Sequence, residues 1–164
     1  MIDSAGSRDD FALGLRHLSH ERIDEAIDSL EAAVATHPTD AAARAFLAAA
    51  LFADARSDAA EAAIARALHL DAAGFWPHLK AGELRLRLGD AASAEDHFLV
   101  ALRAVEPGTA EAKAAGESLV RARRAKARSV EHRAVLPARV RRFFARSETS
   151  GSSVAPAEAR AGGP

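Results

Sequence analysis

Small and bulky apolar residues recur along this chain with a fixed step of 34. Gly14, Ala48, Gly82 and Gly116 form one series. Ala26, Ala60 and Ala94 form a second, Ala33, Ala67 and Ala101 a third, and Leu30, Ile64 and Phe98 mark a bulky position among them. Registers that agree over successive units signal stacked copies of one supersecondary element. The physical solution is a pair of antiparallel helices per unit, with small residues where the backbones cross and a bulky residue filling the adjacent gap. Pro38 and Pro107-Gly108 stand where second helices should stop, and Gly89-Asp90 marks a turn inside the third unit. The pattern predicts helices near 7–20, 24–37, 41–54, 58–70, 75–88, 91–105 and 109–128. The last has Thr109 as N-cap and Glu111 in its first turn, where a negative charge suits the helix dipole. Its expected buried stripe is Ala112, Ala115, Gly116, Leu119 and Ala122, as suits a helix that closes a stack and shows its other side to water.

The spacing resembles the tetratricopeptide repeat. The first unit reads Leu13-Gly14-x-x-His17, Ala26-x-x-x-Leu30 and Pro38; the second Leu47-Ala48-x-x-Leu51, Ala60-x-x-x-Ile64 and Ala72; the third Ala81-Gly82-x-x-Arg85, Ala94-x-x-x-Phe98 and, one residue late, Pro107. His17, Leu51 and Arg85 replace the family's aromatic on the first helix. The resemblance covers about residues 7–128 and implies an all-α, right-handed helical-hairpin solenoid of three repeats with a C-terminal capping helix. Residues 1–6 are expected to form a flexible N-terminus, 129–146 a basic amphipathic segment and 147–164 a disordered tail.

In this family the first helices line a concave groove that takes a peptide or a partner's helix. The resemblance places Arg8, Phe11, Leu15 and Leu18 there, then Ala42, Ala45, Ala49 and Phe52, then Trp76, Leu79, Lys80, Glu83 and Leu86. One subclass grips the carboxylate-ended tails of chaperones with Lys, Asn and Arg. Here Phe11, Leu15, Ala45 and Ala49 stand where polar clamps would be required, so a charged tail would lose water without adequate pairing. An apolar helix or extended segment of another protein suits the groove better, each large side chain it buries contributing about 1.5–3 kcal/mol. Packing between neighbouring units is the alternative role for Phe11, Phe52 and Trp76.

Charge changes the picture at the C-terminal end. The net charge of −1 hides 10 Lys and Arg against 18 Asp and Glu in residues 1–108, and 12 against 5 in residues 109–164. Residues 121–146 hold 10 bases and one acid, Glu131. Within them Leu136, Val140, Phe143 and Phe144 share one helical face, flanked by Arg139, Arg141, Arg142 and Arg146. Such a segment suits docking on protein, either an acidic partner or this chain's own groove, in the same copy or across a homo-oligomer. Anionic membrane and nucleic acid are the alternative partners.

Candidate chemistry is sparse. Without cysteine there is no disulfide, thiolate nucleophile or Cys-ligated metal. His17, His20 and Glu21 lie near one helix end without a third well-placed ligand, and His37, His69, His78, His97 and His132 are spread over different helices. No phosphate-binding glycine loop or nucleophile elbow occurs. The expectation is an interaction module, an adaptor or accessory subunit of a larger complex, with no enzyme activity, cofactor or metal. Residues 1–10 are polar and acidic, unlike a secretory leader. The longest uncharged apolar run, Ala45–Ala53, is too short to cross a bilayer, so a cytoplasmic location is expected. Arg outnumbers Lys by 19 to 3, a usage associated with GC-rich bacterial genomes.

Overall fold

The computed structural model describes residues 4–135 of the 164-residue chain. Seven helices follow one another without a strand among the described residues: α1 (Ser4–Ser19), α2 (Ile23–Thr36), α3 (Ala41–Ala53), α4 (Ser57–Leu70), α5 (Phe75–Arg87), α6 (Ala91–Arg103) and α7 (Ala110–Val135). Residues 1–126 form one compact unit and 127–164 a second, whose described part is the end of α7. In the first unit α1 and α2, α3 and α4, and α5 and α6 pack as hairpins, giving an all-α solenoid.

The hairpin turns repeat as strictly as the core. Helices α1, α3 and α5 end at Ser19, Ala53 and Arg87, each 34 residues after the last. Two residues later Glu21, Ala55 and Gly89 take left-handed backbone, with φ of 57°, 59° and 84°. The next N–H then reaches back across the helix end: Arg22 N donates to His17 O at 3.0 Å, Arg56 N to Leu51 O at 2.9 Å and Asp90 N to Arg85 O at 2.9 Å. This is the Schellman way of satisfying carbonyls that a finished helix leaves open. Only Gly89 adopts the conformation without a steric cost; at Glu21 and Ala55 the fold imposes it on a residue with a Cβ.

Side-chain oxygens close several helix starts. Asp40 Oδ1 accepts from Ala43 N at 2.9 Å, Asp90 Oδ1 from Ser93 N at 3.1 Å and Thr109 Oγ1 from Ala112 N at 3.1 Å. The hydrogen bonds from Ser93 hold the Asp90 carboxyl below its ordinary pKa.

Within each hairpin the bulky register fills the space over the small one. A Cβ placed on Gly14 would stand 2.6 Å from Leu30 Cγ, and one on Gly82 would stand 2.5 Å from Phe98 Cε1. Ala48 and Ile64 share the corresponding core of the middle hairpin. Leu30 and Phe98 are fully buried.

Two helices depart from the sequence expectation. Helix α1 begins at Ser4, inside the segment assigned to a flexible N-terminus. Helix α7 runs seven residues past the expected end at 128, because Arg123, in register with Glu21, Ala55 and Gly89, stays helical and no turn forms. Ala115, Leu119 and Ala122 of α7 are buried against Leu79, Ala94, Phe98 and Ala101. Ala112 and Gly116, placed in the same stripe by spacing, are only half-buried. Glu95 on α6 ties the helix down, accepting from Arg123 Nε and Lys126 Nζ, both at 2.8 Å. Those two cations hold its carboxyl below the ordinary range.

Candidate functional site

The three first helices α1, α3 and α5 enclose a groove of about 390 Å³. Its α1 wall is Leu15 and Leu18, and its α3 wall carries Phe46, Ala49 and Phe52. Helix α5 adds Lys80, Glu83 and Arg87, whose spacing of three and four residues keeps them on one face. The aliphatic and aromatic sides thus meet a charged side. Lys80 Nζ lies 3.0 Å from Glu83 Oε2 and 4.7 Å from the centre of the Phe46 ring. The Arg87 guanidinium stands 5.8 Å from the Phe52 ring. Cations over ring faces are favourable, and their aliphatic stems cover apolar surface without giving up their charge.

An aromatic series extends from this wall. Phe46 packs edge-on to Phe11 at 5.7 Å between ring centres, and tilted against Trp76 at 5.0 Å. Trp76 in turn meets Phe75 at 4.8 Å. Trp76 remains 36% exposed, so it offers a large apolar surface that the described residues do not cover.

Of the groove residues expected from spacing, Leu15, Leu18, Ala49, Phe52, Lys80 and Glu83 line the groove together. Phe11 and Trp76 reach it through Phe46. Two expectations are corrected. Ala45 and Leu79 are 0% and 4% exposed and pack into the helix core, Ala45 with Ile64 and Leu79 with Phe98. They share a register with Phe11, which is half-exposed. The groove-facing register is the next one along, occupied by Phe46 and Lys80. Phe46 and Arg87 were missed for this reason: a phase error of one residue turns a helix face by about 100°. Arg139, Val140, Arg141, Arg142, Phe143, Phe144 and Arg146, with their proposed docking, lie outside the described residues.

A second polar cluster was not legible from spacing. His78 on α5 and His97 on α6 face each other with Nδ1 atoms 3.0 Å apart, and His78 Nε2 lies 3.0 Å from Ala72 O. A carbonyl can only accept, so His78 Nε2 carries the proton, its Nδ1 accepts, and His97 Nδ1–H is the donor. Burial, with His78 and Arg85 nearby, holds the His97 imidazolium below its ordinary pKa, against the opposing pull of Asp96 and Asp90. Among the described residues no three His, Asp or Glu side chains are grouped so as to hold a metal ion. No helix among them is long and apolar enough to cross a membrane.

The tetratricopeptide repeat model matches residues 17–81. No curated protein sequence matches the chain. Solved structures share its fold at low identity. The first tetratricopeptide domain of Spaghetti (RPAP3), bound to the HSP90 peptide SRMEEVD, superposes with a TM-score of 0.64 at 22% identity, over 77% of this chain and 99% of that one. The Yersinia enterocolitica type III secretion chaperone SycD, in complex with a peptide of the translocator YopD, gives 0.63 at 16% identity, over 78% and 98%. The TPR2B domain of yeast Sti1, in its pHsp70 complex, gives 0.63 at 18% identity, over 74% and 98%. The matched repeats, the turn and core registers that continue beyond them, and the shared fold lead to one assignment: residues 17–81 carry tetratricopeptide repeats, and the described helices have the tetratricopeptide fold.

Proposed function

We propose that this protein is a cytoplasmic interaction module that holds an apolar helix or extended segment of another protein in the groove between α1, α3 and α5, as an adaptor or accessory subunit and not as an enzyme. The observation that carries the proposal is the concave wall of Leu15, Leu18, Phe46 and Phe52, faced by charged side chains from α5 alone. Domains of the same fold hold peptides in the complexes of RPAP3 and SycD. An acidic chaperone tail is the poorer fit here. Lys80 is already paired with Glu83, and the remaining walls offer a carboxylate little beyond hydrocarbon.

The test is affinity purification of the full chain from its native host, beside Phe52→Ala and Trp76→Ala variants that retain the wild-type melting profile. A specific protein should co-purify with the wild type and be lost from both variants. Truncating a buried aromatic anchor costs about 2 kcal/mol or more, some thirtyfold in affinity. Capture that is indifferent to Phe52 and Trp76 would place the interaction elsewhere.

A further inference from the structure

We infer that the outer face of α7 around Gly116 is a second docking site, which takes an acidic amphipathic helix from another protein and so completes a fourth hairpin in trans. The repeat register itself says what is missing. Gly14 is covered by Leu30 and Gly82 by Phe98, while Gly116, next in the series, has no described atom within 4 Å of the position its Cβ would take. The fourth second helix cannot come from the residues that follow directly. Where α1, α3 and α5 turn back, α7 continues to Val135, so His132, the register equivalent of Leu30 and Phe98, lies on α7 itself.

The uncovered face has the makings of an interface. Val120, one turn beyond Gly116, is 45% exposed. Ala112, one turn before, borders an open hollow of about 580 Å³ together with Leu102 at the end of α6 and Val105 just beyond it. Gly116 lets another backbone approach closely, and Val120 and Leu102 offer apolar surface for a bulky side chain to cover. Charge selects the occupant. Lys113, Arg121 and Arg124 surround this strip with only Glu117 against them, and Arg121 donates to Ser118 Oγ instead of a carboxylate. A second copy of α7 would set this cationic face against itself, whereas an acidic helix would neutralise it. The chain contains a template for such a helix: α2 presents Leu30 to Gly14 and carries Asp24, Glu25, Asp28 and Glu31 on its remaining turns.

The probe is therefore a fluorescent, helix-stabilised peptide of residues 22–37, titrated into the full-length chain by anisotropy. Saturable binding is expected, weakening as salt rises from about 0.05 to about 0.5 M and the screening length shortens from about 14 to about 4 Å. Gly116→Leu, which fills the open space from the chain's own side, should weaken binding about tenfold or more, as should the pair Arg121→Glu and Arg124→Glu. Phe52→Ala, in the concave groove, should leave it unchanged. Thermal melts of each variant separate lost docking from lost folding. Absence of binding, or binding indifferent to Gly116→Leu and to the charge reversals, overturns the proposal. Two other results also overturn it: a dimer by light scattering that Gly116→Leu abolishes, which makes the occupant a second copy, or binding only after removal of residues 136–164, which makes it the chain's own segment.

Discussion

Gly82 and Gly116 stand 34 residues apart at the same register of successive first helices, yet their surroundings are opposite. At Gly82 the ring of Phe98 occupies the space a side chain would need; at Gly116 that space is empty among the described residues. The difference arises at the turn. Helix α5 ends at Arg87, Gly89 takes left-handed backbone, and α6 returns with Phe98 facing the glycine. In α7 the equivalent Arg123 remains helical, and no second helix returns among the described residues. Small residues in a repeat are thus not equivalent because they recur: one marks a filled crossing and the other an unfilled half-site.

The most severe way to break the comparison is to empty the filled side. Phe98 is 0% exposed and touches the cores of both α5 and α7. Phe98→Ala should therefore cost about 3–5 kcal/mol, measured by urea denaturation, and make the third hairpin resemble the unfilled fourth. A loss below about 1 kcal/mol would mean that the seam is not packed around this ring.

The glycines can then be compared directly. Gly82→Ala drives a methyl group into Phe98 and should destabilise by about 1–3 kcal/mol, less whatever the better helix propensity of alanine returns. Gly116→Ala meets nothing and keeps that propensity gain, up to about 1 kcal/mol, raising the melting temperature by a few degrees. Opposite signs for one substitution at two equivalent positions is the outcome to check by parallel thermal melts.

The sequence carried the hairpins because small and bulky positions recur with the period of the fold, and every first-helix end except that of α7 fell within two residues of its expected place. The course of α7 was less legible. Arg123 and Arg124 are good helix formers, whereas Glu21 and Ala55 are poor signals for a turn. Both turns form because the returning helix buries its stripe, a tertiary gain that local propensity does not show. The groove was legible in outline only. Leu15, Phe52 and Glu83 line the groove, but Ala45 and Leu79 are buried in the helix core, and Phe46, itself largely buried, lines the groove in their place. An alanine-rich α3 offers no contrast of polarity to set its rotation, so the phase depends on packing partners that only the structure supplies. The histidine pair escaped notice for a similar reason: His78 and His97 belong to different helices, and only the crossing of α5 with α6 brings them together.

The turn itself can be tested on both sides. Ala55 holds φ of 59°, a conformation that costs a residue with a Cβ about 1–2 kcal/mol. Ala55→Gly should recover about 1 kcal/mol, whereas Arg123→Gly, in a helix interior, should lose about as much and also release Glu95 from one cation. Equal effects at the two sites would mean that α7 turns at Arg123 as the other first helices do.

The smallest expected effect concerns the pair that the third hairpin has and α7 lacks. His97 donates to His78 as a neutral imidazole, and burial first, then the nearby His78 and Arg85, lowers its pKa from the ordinary 6.5. A histidine whose folded pKa is depressed contributes stability that is fully present above the unfolded value and lost as the pH falls from it through the folded value. Melting temperature should accordingly decline as the pH is taken from 7 to below 6.5, the unfolded chain binding the proton more readily than the folded one. His97→Asn keeps an N–H to donate to His78 but cannot titrate, so it should flatten that part of the profile. A slope unchanged by His97→Asn would show that this hairpin takes up its proton without penalty.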